Sequence, residues 1–146
     1  MNYGEIITAH SFSVSLGAFQ VETVQEISGL VVEQEVVEAR HVTATGQLVV
    51  KKQPGIRRTG EVTITRGLDT SSAFSDWINR SLVQADYDGA RQNVSIVIRD
   101  VHRNPVRSLH LSNAWASRWE GPALQAGSSA VATERVTLAF DDINVE

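Results

Sequence analysis

Histidine spacing is the first test for chemistry in this chain, because histidine titrates near neutral pH and is the commonest metal ligand in proteins. The chain has four histidines, which are His10, His41, His102 and His110. No two of them form a helical pair four residues apart with a glutamate between them, the spacing of zinc hydrolases. His102 and His110 flank a predicted hairpin turn at residues 103–105, yet no carboxylate lies at a spacing from them that would indicate a metal site. We therefore predict no metal site.

Other side chains that carry chemistry also lack the necessary spacing. No serine lies in the Gly-x-Ser-x-Gly pattern that presents a nucleophile between a strand and a helix. Lys51 and Lys52 follow no glycine-rich phosphate loop. Asp141 and Asp142 form a lone acidic pair, which is more typical of a solvated strand end than of a cation site. We predict no catalytic residue, no bound cofactor and no enzymatic activity.

Length and composition restrict the class of protein. The 146 residues suit one domain, so we expect 1–146 to form a single unit. The net charge of -4 argues against a general nucleic-acid binder, and the absence of cysteine excludes disulfides and thiolate metal sites. The amino-terminal residues have no basic start, and no window reaches the ~18 apolar residues of a membrane helix. We expect synthesis in the cytoplasm without a signal peptide and no membrane anchor.

Period-two alternation of apolar and polar residues dominates the chain and is typical of strands with one solvated face. The alternating apolar positions are Phe12, Val14 and Leu16, then Val62 and Ile64, then Val94, Ile96 and Ile98, then Leu109 and Leu111, then Val136, Leu138 and Phe140. Phe74, Trp77 and Ile78 are instead spaced by three and four, which predicts an amphipathic helix over about 71–84 with these side chains in the core. We predict a mainly β fold, a single-domain barrel or split barrel of antiparallel strands with one short flanking helix.

Three further segments are predicted from their composition. Residues 40–46 and 53–60 are predicted loops, and residues 86–89 are a predicted turn that ends the helix. Residues 30–38 carry apolar side chains on both faces of a predicted strand. A strand solvated on one side lacks this pattern, so we expect both faces to be covered, for example by another subunit.

Charge is divided unevenly along the chain. Residues 1–50 hold six glutamates against Arg40 alone, whereas residues 51–66 hold five basic side chains against Glu61. A basic loop beside an acidic strand suits self-assembly through opposite surfaces, because complementary potentials set register and orientation. A solvated basic loop and an anion-binding loop are the alternatives.

An ordered set of short motifs resembles the contractile-phage tail tube proteins. The motifs are VQEISGL at 24–30 and EQEVVE at 33–38, KKQPGI at 51–56 and VTITRG at 62–67, FSDWI at 74–78, LSNAW at 111–115, WEGP at 119–122, and ATERVTL at 132–138. This family includes the inner-tube proteins of extracellular contractile injection systems and is similar to the haemolysin-coregulated tube protein of type VI secretion. The chain departs from the usual family pattern at residues 38–41, at Gln53, where leucine is usual, and at residues 140–143. Together these departures favour a specialised injection system over an intact phage.

The resemblance implies a structural protein of a bacterial phage-tail-like particle, released from the cell or retained in its cytoplasm. β-Barrel subunits form six-membered rings that stack into a hollow tube, and a contracting sheath drives the tube through a target envelope. The implied partners are copies of the chain itself, the sheath protein, baseplate or spike proteins, a tube terminator, and protein cargo in the lumen.

The resemblance also implies which residues make the contacts between subunits. The basic loop corresponds to the family's extended loop, which contacts neighbouring subunits and the adjacent ring, and its Pro54 and Gly55 are expected to set a turn. The implied ring-stacking residues are Lys51, Lys52, Pro54, Gly55, Arg57 and Arg58, and those of the inter-subunit strand are Leu30, Val32, Glu33, Glu35 and Val37. Two alternatives stay open, a tube-capping or baseplate-associated paralogue, and a small β-barrel ligand-binding module or flavin-type enzyme.

Overall fold

The structure, a computed structural model, describes residues 11–17, 19–21, 23–68, 72–127 and 132–146. These residues form ten strands and two helices. In chain order they are β1 (Ser11–Leu16), β2 (Phe19–Val21), β3 (Val24–Ser28), β4 (Val32–Val42), β5 (Leu48–Thr59), β6 (Val62–Gly67), α1 (Ser72–Leu82), α2 (Tyr87–Ala90), β7 (Gln92–Arg99), β8 (Pro105–Glu120), β9 (Thr133–Ala139) and β10 (Asp142–Val145).

Eight of these strands form one bent antiparallel sheet in the order β2-β1-β7-β8-β9-β6-β3, and β10 also pairs with β8. β8 is the strand that joins the two halves of the sheet. Its first part pairs with β7 and β10, and its last part, from Trp115 onward, pairs with β9. The path is open at β2 and β3, so the architecture is the split form of the predicted barrel. The prediction of a mainly β, antiparallel fold with a short helix is confirmed.

The core lies between the two halves of the sheet, because alternate side chains of each strand point to the same face. Its buried side chains include those at most of the predicted apolar positions, namely Val14, Leu16, Val62, Ile64, Val94, Ile96, Leu109, Leu111, Val136, Leu138 and Phe140. Phe74, Trp77 and Ile78 of α1 are buried against them. The Trp77 indole N–H donates to the carbonyl of Ala90 at 2.5 Å, which ties α1 to α2.

The predicted turn at residues 86–89 is wrong. Tyr87–Ala90 form the one-turn helix α2, because the Asp86 carboxylate accepts the backbone N–H of Gly89 at 3.1 Å and acts as its N-cap. The predicted hairpin turn after β7 is confirmed. The Asp100 carboxylate there accepts the backbone N–H groups of His102 and Asn104, both at 2.9 Å.

The loop predicted at residues 53–60 is wrong except at residue 60, and the loop predicted at residues 40–46 is correct only from residue 43 onward. β4 continues to Val42 and β5 runs from Leu48 to Thr59, so only residues 43–47 form the turn between them. The Pro-Gly pair that favoured a loop lies at a register shift of the β4–β5 ladder. A shift of this kind absorbs an extra residue, and Pro is tolerated where no ladder N–H is needed.

Candidate assembly surface

β4 and β5 form a long two-stranded ribbon, here called the ribbon, that is separate from the main sheet. Among the described strands, each pairs only with the other, in ten antiparallel positions from Val32↔Thr59 to Val42↔Leu48. An isolated hairpin is at best marginally stable in water, because it has no third strand or packed helix against which to bury its side chains. The ribbon therefore has the features of an element that is stabilised by contacts beyond its own two strands.

The ribbon exposes large apolar side chains on its surface. Residues paired across an antiparallel ladder point to the same face, so Val42 lies beside Leu48, and Val36 lies beside Pro54. Val36 is 62% exposed and Val42 is 65% exposed. Further exposed apolar side chains of the ribbon are Val32, Val37, Leu48, Val50 and Ile56. Exposed apolar groups collected on one element mark an interaction surface.

The predicted basic residues divide into two groups. Arg58 pairs with Glu35 inside the ribbon at 3.2 Å, and Arg57 pairs with Asp142 of β10 at 3.2 Å. Lys51 and Lys52 are exposed, lie nearer the tip opposite Ala39 and Glu38, and form no ion pair within the described residues. Only the two lysines are thus available to a partner without breaking an existing contact.

Gly55 has a packing role rather than the expected turn role. A Cβ at this position would lie 2.8 Å from Cγ2 of Val37 and 3.2 Å from Cβ of Glu35, so a larger residue would require these side chains to shift. Pro54 lies opposite Val36 in the ladder. The prediction that these two residues form a turn is wrong, whereas their place in an inter-subunit contact stays a prediction.

The residues of the predicted inter-subunit strand lie in two different parts of the fold. Leu30 precedes β4 and packs, partly buried, against the core of the main sheet. Val32, Glu33, Glu35 and Val37 belong to β4. Glu35 already binds Arg58 within the subunit. Contact of these side chains with another subunit stays a prediction.

The outer edge of β10 is occupied by side chains. Ser108 and Glu146 exchange two backbone hydrogen bonds, which by antiparallel alternation directs the N–H and C=O of Ile143 away from β8. The Ile143 N–H donates to Asp142 Oδ1 at 2.9 Å, and its carbonyl accepts from Arg57 Nη2. Side chains thus occupy the outward-facing backbone groups of Ile143, which hinders the addition of a strand at that position.

The opposite end of the sheet path is different. β3 pairs with β6 through one edge, and no described strand lies on its other edge. β2 ends the other side of the path with only Phe19–Val21. Unpaired backbone groups on a sheet edge are a template for strand pairing with another chain. Of the two strands that end the path, β3 is therefore the longer one, and its outer edge is open.

A buried polar network joins α1 to β6, β8 and β9. Arg66 Nε donates to Glu134 Oε1 at 2.6 Å, and both side chains are almost fully buried. Glu134 Oε2 accepts from the indole N–H of Trp119 at 2.7 Å. The Arg66 guanidinium also lies 4.7 Å from the ring centroid of Phe74. Sequence reasoning missed this ion pair, although both residues lie in phase with the core positions of their strands.

The remaining chemical candidates have separate partners. His110 Nδ1 lies 3.0 Å from Ser95 Oγ, and its Nε2 lies 3.4 Å from Glu146 Oε2. Asp141 pairs with Arg91 at 3.5 Å, while Asp142 binds Arg57, so the two carboxylates do not converge. Within the described ranges, no three His, Asp or Glu side chains are grouped as a metal site, and His10 lies outside those ranges. None of the described helices is long and apolar enough to span a membrane.

An open antiparallel sheet with a two-stranded ribbon that exposes apolar side chains has the features of a structural assembly protein. The sequence profile of the T4-like virus tail tube protein gp19 family matches residues 8–144. The chain therefore belongs to this family of tail tube proteins.

Solved structures of contractile systems share the fold. The tube-terminating cap of the anti-feeding prophage has a TM-score of 0.78 and 25% identity over 100% of this chain and 94% of that chain. A chain of the PVC extracellular contractile injection system, from its extended sheath–tube complex, has a TM-score of 0.76 and 22% identity over 99% and 93%. Hcp1 from Flavobacterium johnsoniae has a TM-score of 0.58 and 15% identity over 92% and 93%. No curated protein matches the chain by sequence.

Proposed function

We propose that the chain is a non-catalytic inner-tube subunit that forms six-membered rings, which stack into a hollow tube inside a contractile sheath. The observation that carries the proposal is the ribbon, which exposes apolar side chains and, in the part of the chain that the structure describes, pairs with no third strand. A surface of this kind is stable when a neighbouring copy covers it. Membership of the tail tube family supports the same conclusion.

The charge of the ribbon indicates the surface that it meets. Lys51 and Lys52 lie close to the apolar pairs Val36–Pro54 and Val42–Leu48. A neighbour that presents an apolar patch with carboxylates at its rim would match both features, and the charges would set the register of docking. We therefore propose that the two lysines take part in the contact between rings.

The edges of the sheet support lateral assembly within a ring. β3 presents an open edge, whereas side chains fill the outer edge of β10 at Ile143. Pairing of β3 with a neighbouring copy joins the sheets of successive subunits into one continuous sheet. A closed ring removes the exposed edges that otherwise promote aggregation.

The further partners follow from the relatives. Solved relatives come from a sheath–tube complex, a sheath and tube terminator, and a baseplate. We propose that this chain likewise contacts a sheath protein, a baseplate or spike protein and a terminator, carries protein cargo in its lumen, and works as part of a phage-tail-like particle.

The test is charge reversal at the two lysines of the ribbon. The variant with Lys51→Glu and Lys52→Glu should form no stacked tubes in electron microscopy, while its thermal unfolding matches that of the parent chain. Arg57 and Arg58 are left intact because both hold ion pairs within the subunit. A control with Arg103→Glu and Arg107→Glu changes the same charge on exposed side chains of the β7–β8 hairpin. Tubes that form equally in both variants would remove the lysines from the stacking contact.

A tube-terminating cap is the second candidate, because the cap of the anti-feeding prophage is similar over the whole of this chain. A cap adds once to a tube end, whereas a tube subunit adds repeatedly. Purified chain that forms long tubes supports the tube subunit. Chain that stops at single rings, and labels only the ends of preformed tubes, supports the cap.

A further inference from the structure

We propose that Arg57 is a brace that fixes the angle at which the ribbon projects from the subunit, and that this angle controls assembly. Arg57 lies near the base of β5, and it binds both the Asp142 carboxylate and the Ile143 carbonyl of β10. The effect on assembly rests on the proposed function, whereas the effect on the angle does not.

The chain attaches the ribbon to one half of the sheet only. β4 follows β3 through residues 29–31, and β5 leads into β6 through residues 60 and 61. β3 and β6 are adjacent strands, so both connections leave from the same place. Gly29 and Gly60 lie in these connections, and Gly60 has nothing within 4 Å of where a Cβ would be. Gly29 lies against the Glu61 carbonyl, so the two connections touch side by side, and together they define the line about which a two-stranded ribbon would tilt.

The contact of Arg57 lies away from that line. β10 belongs to the other half of the sheet, where it pairs with the first part of β8. Among the side chains that the structure describes, Arg57 is the only one of the ribbon that forms a hydrogen bond or ion pair with the rest of the subunit. A third point of attachment that lies away from the two connections prevents the ribbon from tilting about them.

The length of the ribbon makes the angle important. From residue 34, which lies opposite Arg57, to residue 42 the ribbon extends roughly 26 Å at about 3.3 Å per residue. A tilt of about 15° at the base then moves the tip by roughly 7 Å, which exceeds the ~4.5 Å limit of an apolar contact. A subunit that holds the correct angle before docking avoids the loss of freedom on assembly.

The brace is a guanidinium with two acceptors, which constrains direction as well as distance. Arg57 Nη1 lies 3.2 Å from Asp142 Oδ1, and Nη2 donates to the Ile143 carbonyl. The same Oδ1 accepts the N–H of Ile143. The planar guanidinium therefore joins a carboxylate and a backbone group that are already fixed to each other.

Arg58 provides a matched control. It is the next residue on β5, it is exposed, and it forms an ion pair of the same length, 3.2 Å. Its partner is Glu35, so both ends of this pair lie within the ribbon. Replacing Arg58 therefore removes the same charge without releasing the ribbon from β10.

The experiment measures the ribbon angle in single subunits. The chain contains no cysteine, so Thr45→Cys at the ribbon turn and Asp76→Cys on α1 place two dyes, and single-molecule FRET at picomolar concentration keeps subunits apart. Arg57→Gln should broaden or shift the distribution of transfer efficiency, and Arg58→Gln should leave it unchanged. Exchange of the pair, with Arg57→Asp and Asp142→Arg, should restore the narrow distribution. An Arg57→Gln distribution identical to that of the parent chain overturns the brace.

A second measurement tests the effect on assembly. The concentration at which subunits pellet as tubes should rise about three- to tenfold for Arg57→Gln relative to Arg58→Gln, because the brace is a half-exposed ion pair with one charged hydrogen bond. Equal concentrations for the two variants would show that the angle does not control assembly. Absence of tubes from the parent chain would contradict the proposed function, and the FRET result would still decide the brace.

Discussion

Replacing Arg66 by methionine tests the buried network that joins α1 to the sheet. Arg66 and Glu134 form an ion pair of 2.6 Å, with side-chain exposures of only 2% and 6%. Removing one partner of a buried pair typically reduces the free energy of unfolding by about 3–5 kcal/mol, because the other charge stays desolvated. For a chain of this size, this corresponds to a fall in Tm of roughly 6–20 °C.

A second variant separates charge from packing. Arg66→Met together with Glu134→Leu removes both charges and keeps apolar volume in the same space. Such replacements are often neutral, so the double variant should recover most of the loss. Trp119 loses its acceptor in the double variant, but its side chain is half exposed and its N–H can bind water.

The assay is urea and thermal unfolding followed by circular dichroism, with the parent chain, the single variant and the double variant compared at one pH. An Arg66→Met variant within about 1 kcal/mol of the parent would refute the buried, desolvated pair. A double variant as unstable as the single one would show that the loss comes from side-chain shape rather than from an uncompensated charge.

Two further substitutions test single contacts of the fold. Gly29→Ala should destabilise the chain by about 2–3 kcal/mol in urea unfolding, because φ is +84° and the new Cβ would lie 2.1 Å from the Glu61 carbonyl oxygen. Gly127→Ala, with φ of +78° and open space around the Cβ, should lose clearly less, and equal losses would remove the close approach from the explanation. Ser81→Ala should cost about 1–3 kcal/mol in thermal unfolding, because the buried hydroxyl accepts the Ala116 N–H at 3.3 Å. Ser75→Ala on the exposed side of α1 is its control, and two equal melting curves would contradict a role for that hydrogen bond.

The strands of the main sheet could be predicted from the sequence because each has one solvated face. Alternation at Val94, Ile96 and Ile98, for example, corresponds to β7, where the first two of these are buried. α1 was predictable for the same reason, since three apolar side chains at helical spacing pack on the core. α2 was not, because a single turn is too short to show a period and depends on one capping carboxylate.

The buried ion pair between Arg66 and Glu134 could not be predicted, because charged residues are normally assigned to the protein surface. Arg66 and Glu134 are register partners on neighbouring strands, and both continue the buried phase of Val62–Ile64 and Val136–Leu138. A charge of each sign in the core phase of two adjacent strands is a usable signal for a buried pair. It becomes visible only after the strands are known to be neighbours, which the sequence alone does not establish.

Sequence reasoning predicted the strand at residues 30–38 but missed most of β5, and the reason is physical. Period-two reasoning assumes that one subunit supplies the covered face of every strand. β4 and β5 have apolar side chains on both faces, and their Pro54 and Gly55 lie within the ladder rather than at its end. Local rules then favour a loop, while pairing over ten positions favours a strand. A segment whose local signals disagree with its structure is expected where a site depends on something outside the chain. The mismatch in the ribbon therefore supports the proposal that a neighbouring subunit covers its exposed apolar side chains.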